Sequence, residues 1–234
     1  MAAAPKPVVI SHRRDMVAPM ANPDVATTAA ETTTVTTADE LRAIVGEVAP
    51  RAAAKVRPAL VELDREWLAA SPFCLLATCD GDGNLDVSPK GDPAGFAYVV
   101  DDTTVAIPDR PGNKRVDGFL NILENPHVGL IFLIPGRGDT LRINGRARIV
   151  SDAPFFDAMA VKGKRPQLAV LVDVEEVFHH CSKAFLRSRL WDPQSWSPEH
   201  VPSRAVIAKA LERPDEDLAD IEQYYGPSYA EKLY

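Results

Sequence analysis

Asp109-Arg110-Pro111-Gly112-Asn113-Lys114-Arg115 gathers three cations and a neutral amide where a strand hands over to a helix. Val105-Ala106-Ile107 reads as the end of a strand, and Pro111 and Gly112 make the turn. From about Asn113 the pattern is helical, carried by Val116, Phe119, Leu120 and Leu123. A helix start ordinarily collects Asp and Glu, because its unpaired N–H groups carry partial positive charge. Arg110, Lys114 and Arg115 are unfavourable there unless something anionic sits among them. Free amides and three cations together make a phosphate site. The alternative reading is a solvated basic surface.

Four further groups of residues could do chemistry. Thr140, Arg142, Asn144, Arg146 and Arg148 alternate with Leu141, Ile143, Gly145, Ala147 and Ile149, so a period of two puts Arg142 on a polar strand face. Ser88-Pro89-Lys90-Gly91 either closes a hairpin or faces a ligand. Lys183 and Arg187 stand four apart on one helix face, where they are either solvated or close over a ligand. His179 and His180 are adjacent on a strand and point to opposite faces, so they do not chelate one ion readily, and no metal is expected. Gly-x-Ser-x-Gly and Gly-x-Gly-x-x-Gly are both absent. No side chain stands out as a catalytic acid or base.

The 234 residues are 46% hydrophobic and 25% charged, enough for one substantial core with additions. The net charge of −7 argues against a general nucleic-acid binder. That charge is uneven: residues 110–189 hold 13 Lys and Arg against 8 Asp and Glu. A basic middle in an acidic chain suits a small anionic ligand. Three cysteines, Cys74, Cys79 and Cys181, form no disulfide framework and fit a reducing cytoplasm, with Cys74 and Cys79 expected to be buried. Neither a membrane span nor a secretory signal is expected.

The positioning elements follow from the same patterns. Residues 1–35 read as a flexible tail and 36–234 as one domain. A capping box, Thr37-Ala38-Asp39-Glu40, opens a helix. Residues 51–70 look mainly helical, interrupted near Pro58, with Leu60, Leu63, Trp67 and Leu68 as the buried stripe. Strands are expected at Phe73–Cys79, Leu85–Ser88 (broken by Pro89), Phe96–Val100, Thr103–Ile107, Gly129–Ile134, Thr140–Ile149 and Ala169–Phe178. Short helices are expected at Ala153–Val161 and Ser182–Leu190, and two more at Arg204–Leu211 and Asp215–Tyr224. Six or so short antiparallel strands with peripheral helices indicate an α+β domain built on a small β-barrel.

Over roughly residues 60–192 the chain resembles the pyridoxamine 5′-phosphate oxidase-like flavoproteins. The resemblance rests on Asp86-Val87-Ser88-Pro89-Lys90-Gly91-Asp92, Ile107 to Arg115, Asn121 to Leu130, Pro135-Gly136, Thr140 to Ala147 and Cys181-Ser182-Lys183-Ala184. It implies a split β-barrel and a homodimer with FMN at the subunit interface. It also implies that Arg110, Lys114 and Arg115 hold the FMN phosphate, with Asn113 as a neutral donor. The Ile107-Pro108-Asp109 backbone would run beside the flavin ring. Ser88, Pro89 and Lys90 would face the ligand, and Arg142 would approach from the next strand or from the other subunit. Lys183 and Arg187 are further candidates. The Arg-rich C-terminal substrate signature of the vitamin-converting members is not seen.

The expectation is a cytoplasmic FMN-dependent oxidoreductase acting on a small-molecule redox substrate, with no nucleic-acid or membrane partner. Two other readings stay open: a reductase using a deazaflavin on the same fold, and a non-catalytic flavin-binding or sensory module.

Overall fold

The computed structural model describes residues 32–234, which form two compact units parting between Val48 and Ala49. The expected N-terminal tail lies outside the described residues as far as position 31. In the first unit, helix α1 (Ala38–Val45) starts at the capping box read from the sequence. Thr37 Oγ1 accepts the Glu40 amide, and Glu40 Oε2 accepts the Thr37 amide.

The second unit opens with α2 (Pro50–Ala53) and α3 (Glu62–Ala70). The stretch between them is not helical, so the expected helix is two short ones. Pro58 cannot continue a helix, and the residue before a proline is pushed toward extended backbone. Arg57 accordingly makes a two-way bridge with Val177: its amide donates to the Val177 carbonyl at 3.1 Å and its carbonyl accepts at 2.8 Å. Leu60, Trp67 and Leu68 are buried as expected, but Leu63 is exposed; Asp64 takes the inward place instead.

Seven strands follow: β1 (Phe73–Cys79), β2 (Leu85–Gly91), β3 (Tyr98–Asp101), β4 (Thr104–Pro108), β5 (His127–Leu133), β6 (Thr140–Val150) and β7 (Ala169–His180). They form one antiparallel sheet in the order β2-β1-β5-β6-β7-β4-β3. β2 and β3 are its edges, so the barrel is split rather than closed, and the α+β expectation holds. Pro89 does not break β2. It pairs with Leu75 inside an edge strand, where a missing N–H costs no ladder bond.

The inner face follows the alternation of the strands. Leu76, Leu130, Phe132, Leu141 and Ile143 are essentially inaccessible, each worth roughly 1.5–3 kcal/mol of burial. Helix α4 (Asp117–Glu124) closes this core with Phe119 and Ile122. It starts four residues later than the sequence pattern indicates, and Val116, Leu120 and Leu123 point outward. Gly118 lets it lie close to β1 and β2: a Cβ there would sit 3.1 Å from Asp86 Oδ2 and 3.4 Å from Thr78 Oγ1.

The β6–β7 ladder shifts register between Asn144 and Gly145, where Glu175 is the extra residue of β7. A Cβ on Gly145 would lie 2.0 Å from the Asp173 carbonyl oxygen, which is backbone and cannot rotate away. Gly145→Ala is therefore expected to lower the unfolding free energy by about 3 kcal/mol or more. A urea transition within about 0.5 kcal/mol of the parent would contradict this.

After β6, the expected helix at 153–161 is reduced to a single 3-10 turn, Asp157–Met159. Packing decides this. Phe156 is fully buried with Ala106 and Leu171, and Phe155 stacks on Tyr98 at 5.3 Å. The chain continues through α5 (Lys183–Ser188), α6 (Arg204–Leu211) and α7 (Leu218–Tyr224). Among the described residues no helix is long and apolar enough to cross a membrane.

All three cysteines are free; Cys74 is buried, Cys79 half-buried rather than buried, and Cys181 exposed. Burial pushes the Cys74 thiol up to about 12, against the opposing charge of Lys90. Under native conditions Cys181 is expected to react first with a thiol reagent and Cys74 last, after unfolding. Peptide mapping of the modified protein checks the order.

Candidate functional site

The loop from Asp109 to Val116 joins β4 to α4 and carries the cation cluster. The cations precede the helix instead of occupying its first turn, because Lys114 (φ 62°) and Val116 (φ 53°) are left-handed and neither can begin a right-handed helix. The first turn carries Asp117, the ordinary preference. The electrostatic conflict read from the sequence is thus moved into the loop. Left-handed backbone at a β-branched residue is uncommon, and each such position costs on the order of 1–3 kcal/mol.

The loop divides the three cations. Arg110 is turned inward. Its Nε donates to Asp92 Oδ2 at 2.5 Å and its Nη2 to the Met159 carbonyl at 2.6 Å. Asp92 also accepts the Tyr234 hydroxyl at 2.5 Å, and the tyrosine ring lies 5.6 Å from the guanidinium. That hydrogen bond, reinforced by burial, raises the Tyr234 phenol. Arg110 therefore sits in an ion pair of its own. Lys114 and Arg115 face solvent, with Arg115 bonded to the half-buried Asp117 at 2.7 Å. Asn113 Oδ1 accepts the Arg115 amide at 3.0 Å, which fixes the bend.

Strand β2 supplies the wall beside the loop. Lys90 Nζ pairs with Asp109 at 3.0 Å and lies 4.9 Å from the Phe119 ring, so strand, loop and helix are tied at one point. Ser88 Oγ donates to Asp86 Oδ2 at 2.6 Å, on the same face as Lys90, while Pro89 is exposed on the other face. Ile107 and Pro108 are buried in β4 opposite Val170 and Ala169, and the Asp109 amide donates to the Leu168 carbonyl at 2.8 Å. Lys90 and Asp92 thus tie this end of β2 to the 109–115 loop, while Ser88 and Pro89 lie beside Lys90 along the strand, Pro89 on its other face.

Arg142, Lys183 and Arg187 lie elsewhere. Arg142 pairs with Phe178 near the far end of β7, eight residues from Val170, the partner of Ile107. At ~3.3 Å per residue this is about 26 Å along the strand. Across the sheet, Pro89, Leu75, Ile131 and Arg142 are successive register partners, about 14 Å from first to last at ~4.8 Å per strand. Lys183 and Arg187 are exposed on α5, which packs on the β5–β6 turn, where a Cβ on Gly138 would lie 2.8 Å from Ser182 Cβ.

Two polar groups escape a reading by spacing. Asp92 and Tyr234 meet Arg110 from distant positions, and nothing local marks them. Asp64 could have been found: it falls on the Leu60–Trp67–Leu68 stripe, and an acid on a buried stripe needs a partner. Its partners are Arg57, bidentate at 2.6 and 2.9 Å, the Val61 amide at 2.9 Å and His179 at 3.2 Å. His179 faces this pair while His180 lies on the other face and is exposed. Among the described residues no three His, Cys, Asp or Glu side chains group as metal ligands.

The family model for pyridoxamine 5′-phosphate oxidase matches residues 60–181, which holds β1 to β7 and the whole 109–116 loop. The chain belongs to this family. In the pyridoxamine 5′-phosphate oxidase fold as this chain builds it, residues 182–234, with α5 to α7, are an addition beyond the matched segment. No curated protein matches the sequence. Among solved structures, HupZ of Group A Streptococcus is 21% identical, covering 51% of this chain and 94% of its own, with a TM-score of 0.41. A candidate pyridoxamine 5′-phosphate oxidase from Lactobacillus delbrueckii is 25% identical over 53% and 98%, TM-score 0.41. An FMN-binding protein from Syntrophomonas wolfei is 14% identical over 51% and 89%, TM-score 0.39.

Proposed function

We propose that this protein is a homodimeric FMN-dependent oxidoreductase whose phosphate cradle is the 109–116 loop. The observation that carries this reading is the loop itself. Two non-glycine residues hold left-handed backbone around Arg115, and Lys114 and Arg115 remain exposed instead of folding into the core as Arg110 does. Alternating right- and left-handed residues turn successive amides toward one concavity, a shape suited to an anion. The residues present fit a mononucleotide phosphate: Lys114 and Arg115 as cations, Asn113 as the hinge, and Lys90 held close by Asp109. Arg110 contributes by fixing the loop to Asp92.

A flavin bound there supplies hydride or electron transfer. The chain's own part is binding and orientation. Ile107 and Pro108 give a rigid, buried edge for the ring, and Ser88 and Lys90 give polar contacts beside it. The second subunit would cover the outer sheet face. Leu85 and Val87 on edge strand β2 are 77% and 56% exposed, and they continue a row through Ala77 and Gly129 that a second copy can bury.

The purified protein is expected to show the two-band visible spectrum of bound flavin, or to acquire it on adding FMN, with one flavin per protomer. A colourless protein that leaves FMN fluorescence unquenched would remove the proposal. Preference for a deazaflavin in a competition titration would replace FMN with the alternative cofactor.

A further inference from the structure

We infer that Tyr234 is a positioning residue for the 109–116 loop: its hydroxyl sets Asp92, Asp92 sets Arg110, and Arg110 holds the loop in the shape that presents Lys114 and Arg115 to an anion. The inference rests on the proposed phosphate cradle and adds that the segment after α7 controls it. Tyr234 lies beyond residues 60–181, so the family match does not account for it.

The loop has few ties to the rest of the domain. At its β4 end the Asp109 amide bonds to Leu168 and the Asp109 carboxylate pairs with Lys90. From Pro111 to Lys114, among the described residues, no hydrogen bond reaches another element; Asn113 bonds only within the loop. Past Asp109 the connection therefore runs through the Arg110 side chain. Its anchor, Asp92, is fixed from behind: the Asp92 amide donates to the Pro72 carbonyl at 3.1 Å, and the side chain is 2% exposed. One carboxylate oxygen accepts Arg110 Nε, and the other accepts the Tyr234 hydroxyl at 2.5 Å. A buried carboxylate oxygen stripped of its donor is costly, so without the hydroxyl Asp92 turns toward water and Arg110 loses its fixed partner.

The tyrosine ring adds a second hold. It lies 5.6 Å from the Arg110 guanidinium and 5.5 Å from Lys162 Nζ, where a cation is attracted to the aromatic face. Lys162 belongs to the turn whose Lys164 carbonyl accepts Arg110 Nη1 at 3.4 Å, just after Met159, whose carbonyl accepts Nη2. One side chain thus joins Asp92, Arg110 and the 159–164 turn. Phenylalanine at this position keeps the ring contacts and loses the hydroxyl; leucine loses both.

Two measurements on the full chain test this and keep it apart from the flavin reading. In flavin-free protein, hydrogen exchange of the 109–116 amides is followed by mass spectrometry in the parent, Tyr234→Phe and Tyr234→Leu. Exchange is expected to be about tenfold faster in Tyr234→Phe and faster again in Tyr234→Leu, with the β5 amides unchanged. FMN and riboflavin are then titrated against all three. FMN affinity is expected to fall about tenfold in Tyr234→Phe while riboflavin affinity holds, because the phosphate alone depends on the loop. Parent-like exchange of the loop in both variants would overturn the inference. Faster exchange in β5 as well would overturn it too, since Tyr234 would then merely stabilise the fold. Unchanged FMN affinity despite a loosened loop, or equal losses for FMN and riboflavin, would do the same. A loosened loop in a protein whose parent binds no flavin would uphold the hold of Tyr234 on the loop and remove the flavin reading.

Discussion

Lys114→Ala with Arg115→Ala is expected to weaken FMN binding by about a hundredfold or more while leaving riboflavin binding nearly unchanged. Charge-assisted hydrogen bonds to a phosphate contribute roughly 1.5–3 kcal/mol each, and 1.4 kcal/mol is tenfold in affinity. Riboflavin lacks the phosphate and so serves as the internal control. Both side chains are exposed, so their removal should not disturb the core. Arg110→Ala is a different experiment: it strands Asp92, whose side chain is 2% exposed, and mixes a folding defect with any binding defect. Fluorescence quenching titrations with both flavins decide. Equal affinities for FMN in parent and double variant would place the phosphate elsewhere.

The second large effect is expected at Arg57. Asp64 is wholly buried, and Arg57 clamps both of its oxygens. Arg57→Ala leaves that carboxylate with the Val61 amide and His179, and is expected to lower stability by about 3 kcal/mol or more. Asp64→Asn should cost less, because Arg57, 31% exposed, can turn to water. Arg57→Lys should recover only part of the loss, since an ammonium cannot bond both oxygens at once. Urea unfolding measures all three, and a loss below about 1 kcal/mol in Arg57→Ala would show the clamp to be idle.

The same pair sets a pH dependence. Burial raises the Asp64 carboxyl, but hydrogen bonds from Arg57 and the Val61 amide, with the charges of Arg57 and His179, outweigh it and hold the group below the usual carboxylate range. A carboxyl depressed in the folded state binds its proton less readily there than in the unfolded chain. Its contribution is therefore complete above the unfolded value of about 4 and is lost as pH falls through the lower folded value. The gap between the parent and Asp64→Asn should be widest at neutral pH and close in acid.

Much of this architecture was legible in the chain. The alternation in Thr140–Ile149 needs no partner to be read, because successive side chains of a strand must face opposite ways, and the burial of β6 follows it from Leu141 to Arg148, whereas Thr140, on the polar set, is buried. The capping box at Thr37 and the loop chemistry of Asp109–Arg115 are likewise local. Family motifs along residues 60–181 fixed the fold further. Boundaries fared worse where propensity and packing disagree. Pro89 reads as a breaker until β2 is known to be an edge. Val116 reads as helical until its left-handed backbone is seen.

The sequence by itself determined which residues alternate, which caps form and which cations crowd one loop, since these depend on neighbours along the chain. Only the tertiary structure decided that Arg110 is drawn onto Asp92 while Lys114 and Arg115 stay outside, that Asp64 lies beneath Arg57, and that Tyr234 meets Asp92. The two ion pairs join residues 18 and 7 positions apart, and Tyr234 reaches Asp92 across 142. Which charge meets which is set by how the coiled sheet brings distant segments together, and no local spacing records it.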